Sequence, residues 1–252
     1  MDLKIAGKRA LVLGASRGLG AAIAAALATE GVLVTAAARN IEKIDRTANI
    51  EPVQLDLSNA AAIAAFTKDL VDRGGVDILV NNGGGPKPAA AFGLEASQWL
   101  STFETMAASL FSITNALLPQ MIDRKWGRII TVGSSGIVQP IPNLALSNGI
   151  RSAVASWSKT LSGEVAGHGI TVNMLLPGRI ATDRVRELDE GAATRAGATL
   201  DQVEERSRAT IPAGRYGRPE EFGAAAAFLA SDLAGYITGS MLRVDGGSIK
   251  SL

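Results

Sequence analysis

Gly14-Ala15-Ser16-Arg17-Gly18-Leu19-Gly20 is the stretch whose reading decides the fold. It follows the apolar run Ala10-Leu11-Val12-Leu13 and opens the alanine-rich segment Ala21 to Ala28, so the order is strand, tight turn, helix. Glycines here let backbone amides come close to a pyrophosphate, and the positive end of the following helix faces the anion. A glycine-tolerant turn between a strand and a helix would look the same, so the rest of the chain has to decide.

Short apolar runs recur along the chain at Arg9 to Leu13, Val32 to Ala37, Val53 to Leu55, Val76 to Val80, Arg128 to Val132, Thr171 to Leu176 and Met241 to Val244. Continuous apolar runs of this length are what strands buried on both faces look like, and helix-length segments lie between them. The pattern predicts an α/β fold, a Rossmann-type doubly wound parallel β-sheet with helices on both faces. Right-handed crossovers then bring the carboxyl ends of the strands to one edge, where ligands bind. With 252 residues, 47% of them hydrophobic, and no Pro/Ser linker, charge block or internal repeat, a single domain over residues 1–252 is expected.

Composition excludes several classes of function. There are no cysteines, hence no disulfide, thiolate nucleophile or cysteine-bound metal, and one histidine, His168, offers no metal cluster. His168 reads as a turn residue before the sixth strand. A net charge of +1 gives no basic field for nucleic acid. The apolar runs are strand-length rather than membrane-spanning, and Met1 to Lys8 lacks the apolar core of a signal peptide. The expectation is a cytoplasmic protein acting on a small molecule, without nucleic acid, membrane or metal.

Polar and glycine-rich residues follow the strands: Asp56-Leu57 the third, Asn81-Asn82-Gly83-Gly84 the fourth, Gly133-Ser134-Ser135 the fifth, and Pro177-Gly178-Arg179-Ile180-Ala181-Thr182 the sixth. In order and spacing these elements resemble the short-chain dehydrogenase/reductase family, from about Gly7 to Gly247. The resemblance implies a dinucleotide held by Gly14, Ser16, Arg17, Gly18, Leu19 and Gly20, with Leu13 where the family has Thr. It places the adenine against Asp56 and Leu57, its ribose beside Asn82 and Gly83, and the nicotinamide carboxamide on Pro177, Gly178, Ile180 and Thr182. The second strand ends in Ala38-Arg39 with no acid before Glu42. Arg39 and Arg17 resemble the two basic positions of NADP-preferring members, and an arginine fork suits a phosphate. NADP is therefore expected over NAD.

The proton relay departs from the family's pattern. Counting from the landmark Ser152-Ala153-Val154, Ser134 falls on the family's serine, Ser147 on its tyrosine, Arg151 on its lysine, and Met106 on its asparagine. The only tyrosines are Tyr216 and Tyr236, and no Tyr-x-x-x-Lys exists in any register. A tyrosine phenol, with a pKa of about 10, can be tuned towards working pH, whereas a serine hydroxyl is a far weaker acid and a guanidinium stays charged. Ser134, Ser147 and Arg151 remain the candidate catalytic residues, with Arg151 also a clamp for the cofactor ribose.

Two readings follow. One is an NADP-dependent oxidoreductase on a carbonyl or alcohol, with a modified proton route through Ser134 and Ser147 or water. The other is a catalytically impaired nucleotide-binding member serving as a sensor or as a partner subunit for an active relative. A substrate lid is expected around 182–216, with Gly191 and Gly197 as hinges and Arg179, Arg184 and Arg186 as selectors of an anionic substrate. The apolar run Gly223 to Ala230 and the resemblance suggest a homotetramer or a dimer.

Overall fold

Every residue of the run Ala10-Leu11-Val12-Leu13 is buried, because its strand is covered on both faces. The computed structural model describes residues 1–251. Its strands are β1 (Arg9–Leu13), β2 (Leu33–Ala38), β3 (Ile50–Gln54), β4 (Ile78–Asn81), β5 (Gly127–Val132), β6 (Ile170–Pro177) and β7 (Met241–Val244). The helices are α1 (Gly18–Thr29), α2 (Ala60–Asp72), α3 (Ala96–Phe103), α4 (Ser109–Arg124), α5 (Ala145–Val165), α6 (Asp183–Ala196), α7 (Leu200–Ala209) and α8 (Pro219–Ala230).

All seven strands pair in parallel in the order β3-β2-β1-β4-β5-β6-β7, the doubly wound sheet expected. Alternation along β1 feeds two cores. Ala10 and Val12 pack with Ile23 and Leu27 of α1 and Phe222 of α8, whereas Leu11 and Leu13 pack with Ile113 and Leu117 of α4 and Leu161 of α5. Each such large side chain contributes about 1.5–3 kcal/mol of burial.

The third strand lies a few residues earlier than its apolar run suggests, over Ile50–Gln54 rather than Val53 to Leu55. Pro52 and Glu51 hide it in the sequence. Both are tolerated because β3 is the edge of the sheet, where a missing amide breaks no ladder.

Between α3 and α4, residues Glu104–Ala108 form a π-turn, closed by the Ser109 amide donating to the Glu104 carbonyl five residues back. Met106 sits in that turn, buried against Leu146, Ile150 and Met174. Trp157 is a core residue, its ring 4.4 Å from that of Phe111. His168 ends an exposed 3-10 turn before β6, as expected.

The alanine-rich helices α1 and α8 pack face to face. A Cβ on Gly223 would lie 2.6 Å from the Ala22 carbonyl oxygen and 3.1 Å from the Ala26 Cβ. The apolar face of α8, read as an intersubunit surface, is thus largely used within the chain: Phe222, Ala226, Leu229 and Ala230 are buried. Gly223→Val should force the two helices apart and lower stability by about 1–3 kcal/mol, measured as a shift in the urea midpoint at constant m-value. An unchanged midpoint would show that α1 and α8 do not pack this closely.

Candidate active site and cofactor cleft

The sheet order reverses between β1 and β4, and the turns after these two strands meet there. The Asn82 side-chain amide donates to the carbonyls of Leu13 (3.0 Å) and Gly14 (3.3 Å). Gly14 has φ +62°, and a Cβ on it would lie 2.8 Å from the Asn82 amide nitrogen. A Cβ on Gly20 would run into the Gly14 carbonyl, so Gly20 packs beneath the turn rather than lining it. No side chain caps the start of α1 and its first turn carries no acid, so its amides and the positive end of its dipole face the cleft.

That cleft, of about 1500 Å³, runs from the end of β2 across the glycine turn to the start of α5. Apart from Gly20, it is lined by every residue expected to bind cofactor or take part in catalysis: Gly14, Ser16, Arg17, Gly18, Leu19, Arg39, Asp56, Leu57, Asn82, Gly83, Ser134, Ser147, Arg151, Pro177, Gly178, Ile180 and Thr182. At the β2 end Arg39 is joined by Lys43, which sequence reading missed. Lys43 is brought there by a 3-10 turn that Asn40 caps, accepting from the Glu42 amide at 3.1 Å. A lone lysine in a short polar turn carries no periodic signal. The Asp56 carboxylate accepts from the Ser58 amide (3.0 Å) and hydroxyl (2.9 Å), which hold its pKa below the usual range, with the Arg39 charge a lesser cause.

At the opposite end, Gly178 is pressed against the chain after β7; a Cβ there would lie 2.6 Å from the Asp245 Cα. Ile180 is buried and bridges Gly217. Thr182 caps α6 by accepting from the Val185 amide (3.4 Å), and its methyl would lie 3.5 Å from a Cβ on Gly18. Ser134 accepts from the Gly136 amide at 3.0 Å, which leaves its hydroxyl hydrogen free to donate. Ser147 lies buried in the first turn of α5. One turn later Arg151 donates to the Val132 carbonyl at 2.7 Å. Burial, and secondarily the charge of Arg184, push its pKa down to about 10.

Neither tyrosine lines the cleft. The Tyr216 hydroxyl donates to Asp189 at 2.8 Å, and burial is the main cause of its raised pKa; Tyr236 is fully exposed. Lys159 reaches the Gly239 carbonyl at 3.1 Å instead. Met106 presents an apolar wall where the resemblance has asparagine.

Two of the sequence expectations change. Arg17 is engaged across the cleft by Glu187 of α6 at 2.6 Å rather than standing free for a phosphate. Arg184 also ties α6 down, donating to the Pro86 carbonyl at 2.7 Å. Gly191 lies inside α6, whereas Gly197, at φ +60°, ends it before α7. Among the described residues there is no cluster of metal ligands and no helix long and apolar enough to cross a membrane.

Comparison with known proteins places these features in a wider set. Residues 14–248 match the family model described as Enoyl-(Acyl carrier protein) reductase. The chain is 38% identical over 253 residues to the 3-oxoacyl-[acyl-carrier-protein] reductase FabG of Vibrio cholerae, covering 97% of this chain and 98% of that protein. The crystal structure of YwfH, an NADPH-dependent reductase involved in bacilysin biosynthesis, superposes with TM-score 0.92 at 31% identity, over 98% of this chain and 100% of that one. The L-sorbose reductase of Gluconobacter frateurii, complexed with NADPH and L-sorbose, gives TM-score 0.92 at 29% identity over 100% of both chains.

The Arg17 hydrogen bond is the chief reason the Glu187 carboxyl titrates below its usual range. The contact across the cleft should therefore persist at neutral pH and be lost as pH falls through that depressed value. Hydrogen exchange over α6 checks this: Glu187→Gln at neutral pH should expose α6 amides as acid does in the parent chain. Freed from its partner, Arg17 should then tighten NADPH by about two- to fivefold. Unchanged exchange would mean the ion pair does not hold the helix.

Proposed function

The chain belongs to the short-chain dehydrogenase/reductase family, NAD(P)-dependent oxidoreductases of carbonyl and alcohol substrates, and on that footing we propose that it is an NADPH-dependent reductase that moves its proton without a tyrosine. The observation that carries this reading is one continuous cleft joining the glycine turn to the free hydroxyl of Ser134.

The residues present fit a dinucleotide. The turn closes too tightly for any Cβ at Gly14 or Gly20, and the start of α1 is left uncapped. The amides of Ser16, Gly18 and Leu19 would hold the pyrophosphate. Asp56, Leu57, Asn82 and Gly83 would flank the adenosine, and Pro177, Gly178, Ile180 and Thr182 the carboxamide. Arg39, with Lys43 beside it, is the site for a 2′-phosphate, since Arg17 is shared with Glu187. The two related reductases of known structure described with NADPH support the same choice. Arg151 would hold the nicotinamide ribose.

The reduced nicotinamide, when bound, supplies a hydride. Ser134 donates to the substrate oxygen, its own lone pair being occupied by the Gly136 amide. Ser147, with a bridging water, passes a proton to that oxygen, and Arg151 stabilises the negative charge as it develops but cannot give up a proton. Lack of a tuned acid costs on the order of 10² to 10⁴ in rate, leaving the acceleration that comes from positioning.

Helices α6 and α7 form the substrate lid within 182–216, pinned at Arg17 and Pro86. The exposed Met241 and Leu242 of the edge strand β7, with Tyr236 beside it, support a homo-oligomer, a tetramer or a dimer. Replacement of tyrosine, lysine and asparagine by Ser147, Arg151 and Met106 favours a second reading, a nucleotide-binding subunit that assists an active relative.

Fluorescence titration should give NADPH binding about tenfold or more tighter than NADH, with the preference lost in Arg39→Asp. In a carbonyl panel, Ser134→Ala should abolish NADPH oxidation while NADPH binding persists. The double change Ser147→Tyr with Arg151→Lys should raise kcat by about 10² if the substrate oxygen lies where family members bind it. Tight NADPH binding with no turnover in either the parent or the double variant would overturn the reductase and leave the second reading.

A further inference from the structure

The substrate end of the cleft carries an excess of positive charge that the cofactor does not account for. Lys87, Arg151, Arg179 and Arg184 line it. The acids on the same wall are Asp56, at the adenosine end, and Asp183, whose carboxylate is 3.8 Å from Arg17. Two arginines named from the sequence as anion selectors are already neutralised: Arg179 pairs with the buried Asp189, and Arg186 pairs with Glu190 at 3.0 Å away from the cleft lining.

Arg151 is different. Among the described residues it has no carboxylate within ion-pair distance, and its one hydrogen bond goes to the neutral Val132 carbonyl at 2.7 Å. A guanidinium has five N–H donors in a rigid fork, so most of its donors remain for a ligand. Arg184 faces the same space from the lid, held by the Pro86 carbonyl at 2.7 Å and by Glu187 at 3.6 Å. Burial and this second cation together push the Arg151 pKa down, the signature of a charge kept without its counter-charge. The cofactor cannot supply one there: its pyrophosphate belongs at the start of α1, its nicotinamide ribose is neutral, and the oxidised ring is itself cationic.

We propose that the substrate carries a carboxylate close to the reacting carbonyl, gripped by the Arg151 fork and covered by Arg184, so that the protein reduces small oxo acids. This deepens the reductase reading and rests on it. A fork in place of a lysine suits this task, because two parallel N–H donors match the two carboxylate oxygens. A thioester, the substrate class in the name of the Vibrio cholerae relative, has no charge at that end of the molecule.

The test pairs acetoacetate and 2-oxobutyrate with their methyl esters, using the full chain and NADPH. Each acid should exceed its ester in kcat/KM by about 100-fold, and Arg184→Gln should shrink that preference about tenfold. Calorimetry supplies a readout independent of turnover: malonate should bind saturably to the NADPH-loaded protein and about tenfold more weakly to Arg184→Gln. Esters reduced as well as acids, or no malonate binding by protein that binds NADPH, would overturn the proposal. Failure of NADPH itself to bind would instead remove the cofactor reading, and malonate binding to the free protein would still decide this one.

Discussion

The contact between the Asn82 side chain and the turn after β1 is the constraint on which the cleft depends. One amide spans the point where the sheet order reverses, bonding the Leu13 and Gly14 carbonyls from the neighbouring strand's loop. Its reach leaves no room for a Cβ at Gly14 or Gly20, so the glycines are there for packing against protein as much as for approach to a ligand. With the turn drawn in, α1 begins close under the sheet edge and its unpaired amides all face one way. Leu13, which stands where the resemblance has a hydroxyl, puts its side chain into the α4 and α5 core instead. The turn is tied from Asn82, and the missing hydroxyl leaves it in place.

Arginine placement then separates the two ends of the cleft. Arg17 and Arg184 hold α6 across it, Arg179 is fixed on a buried aspartate, and Arg39 and Arg151, at opposite ends, have no ion-pair partner among the described residues. Helix α6 is therefore held by polar contacts, the exposed ones of Arg17 and Arg184 at the rim and the buried Asp189, which accepts from Arg179 and from the Tyr216 hydroxyl at 2.8 Å. The rim contacts release at modest cost, as an entry route requires, while the buried Asp189 keeps the rest of the helix in place.

The sheet was legible because its central strands are buried on both faces and read as unbroken apolar runs; β1 and β6 are clear cases. The edge strand β3 was placed late because Pro52 and Glu51 break the run, and only its position at the edge makes them harmless. In the site, residues fixed by backbone geometry were readable: Gly14 by its positive φ, Gly178 by its contact with Asp245, Thr182 by its cap. Side-chain partners across the cleft were not. Glu187 lies 170 residues from Arg17, and nothing local to either residue announces their ion pair. Lys43 escapes for a different reason, a lone lysine in a short polar turn having no periodicity to mark it, and Gly191 suggests a hinge because a glycine inside a helix looks the same in sequence as one that ends it.

The widened helical turn at Glu104–Ala108 has a consequence of its own. One surplus residue there rotates everything downstream by about 100°, and it is in that rotated setting that Ile113, Leu117 and Met121 meet the underside of the sheet. Removing the surplus would swing those side chains out of their contacts, while exchanging the residue at 106 leaves them untouched. The bulge is thus anchored by hydrocarbon on its far side, and the shape of an active-site wall can persist after the polar group that would have used it has gone.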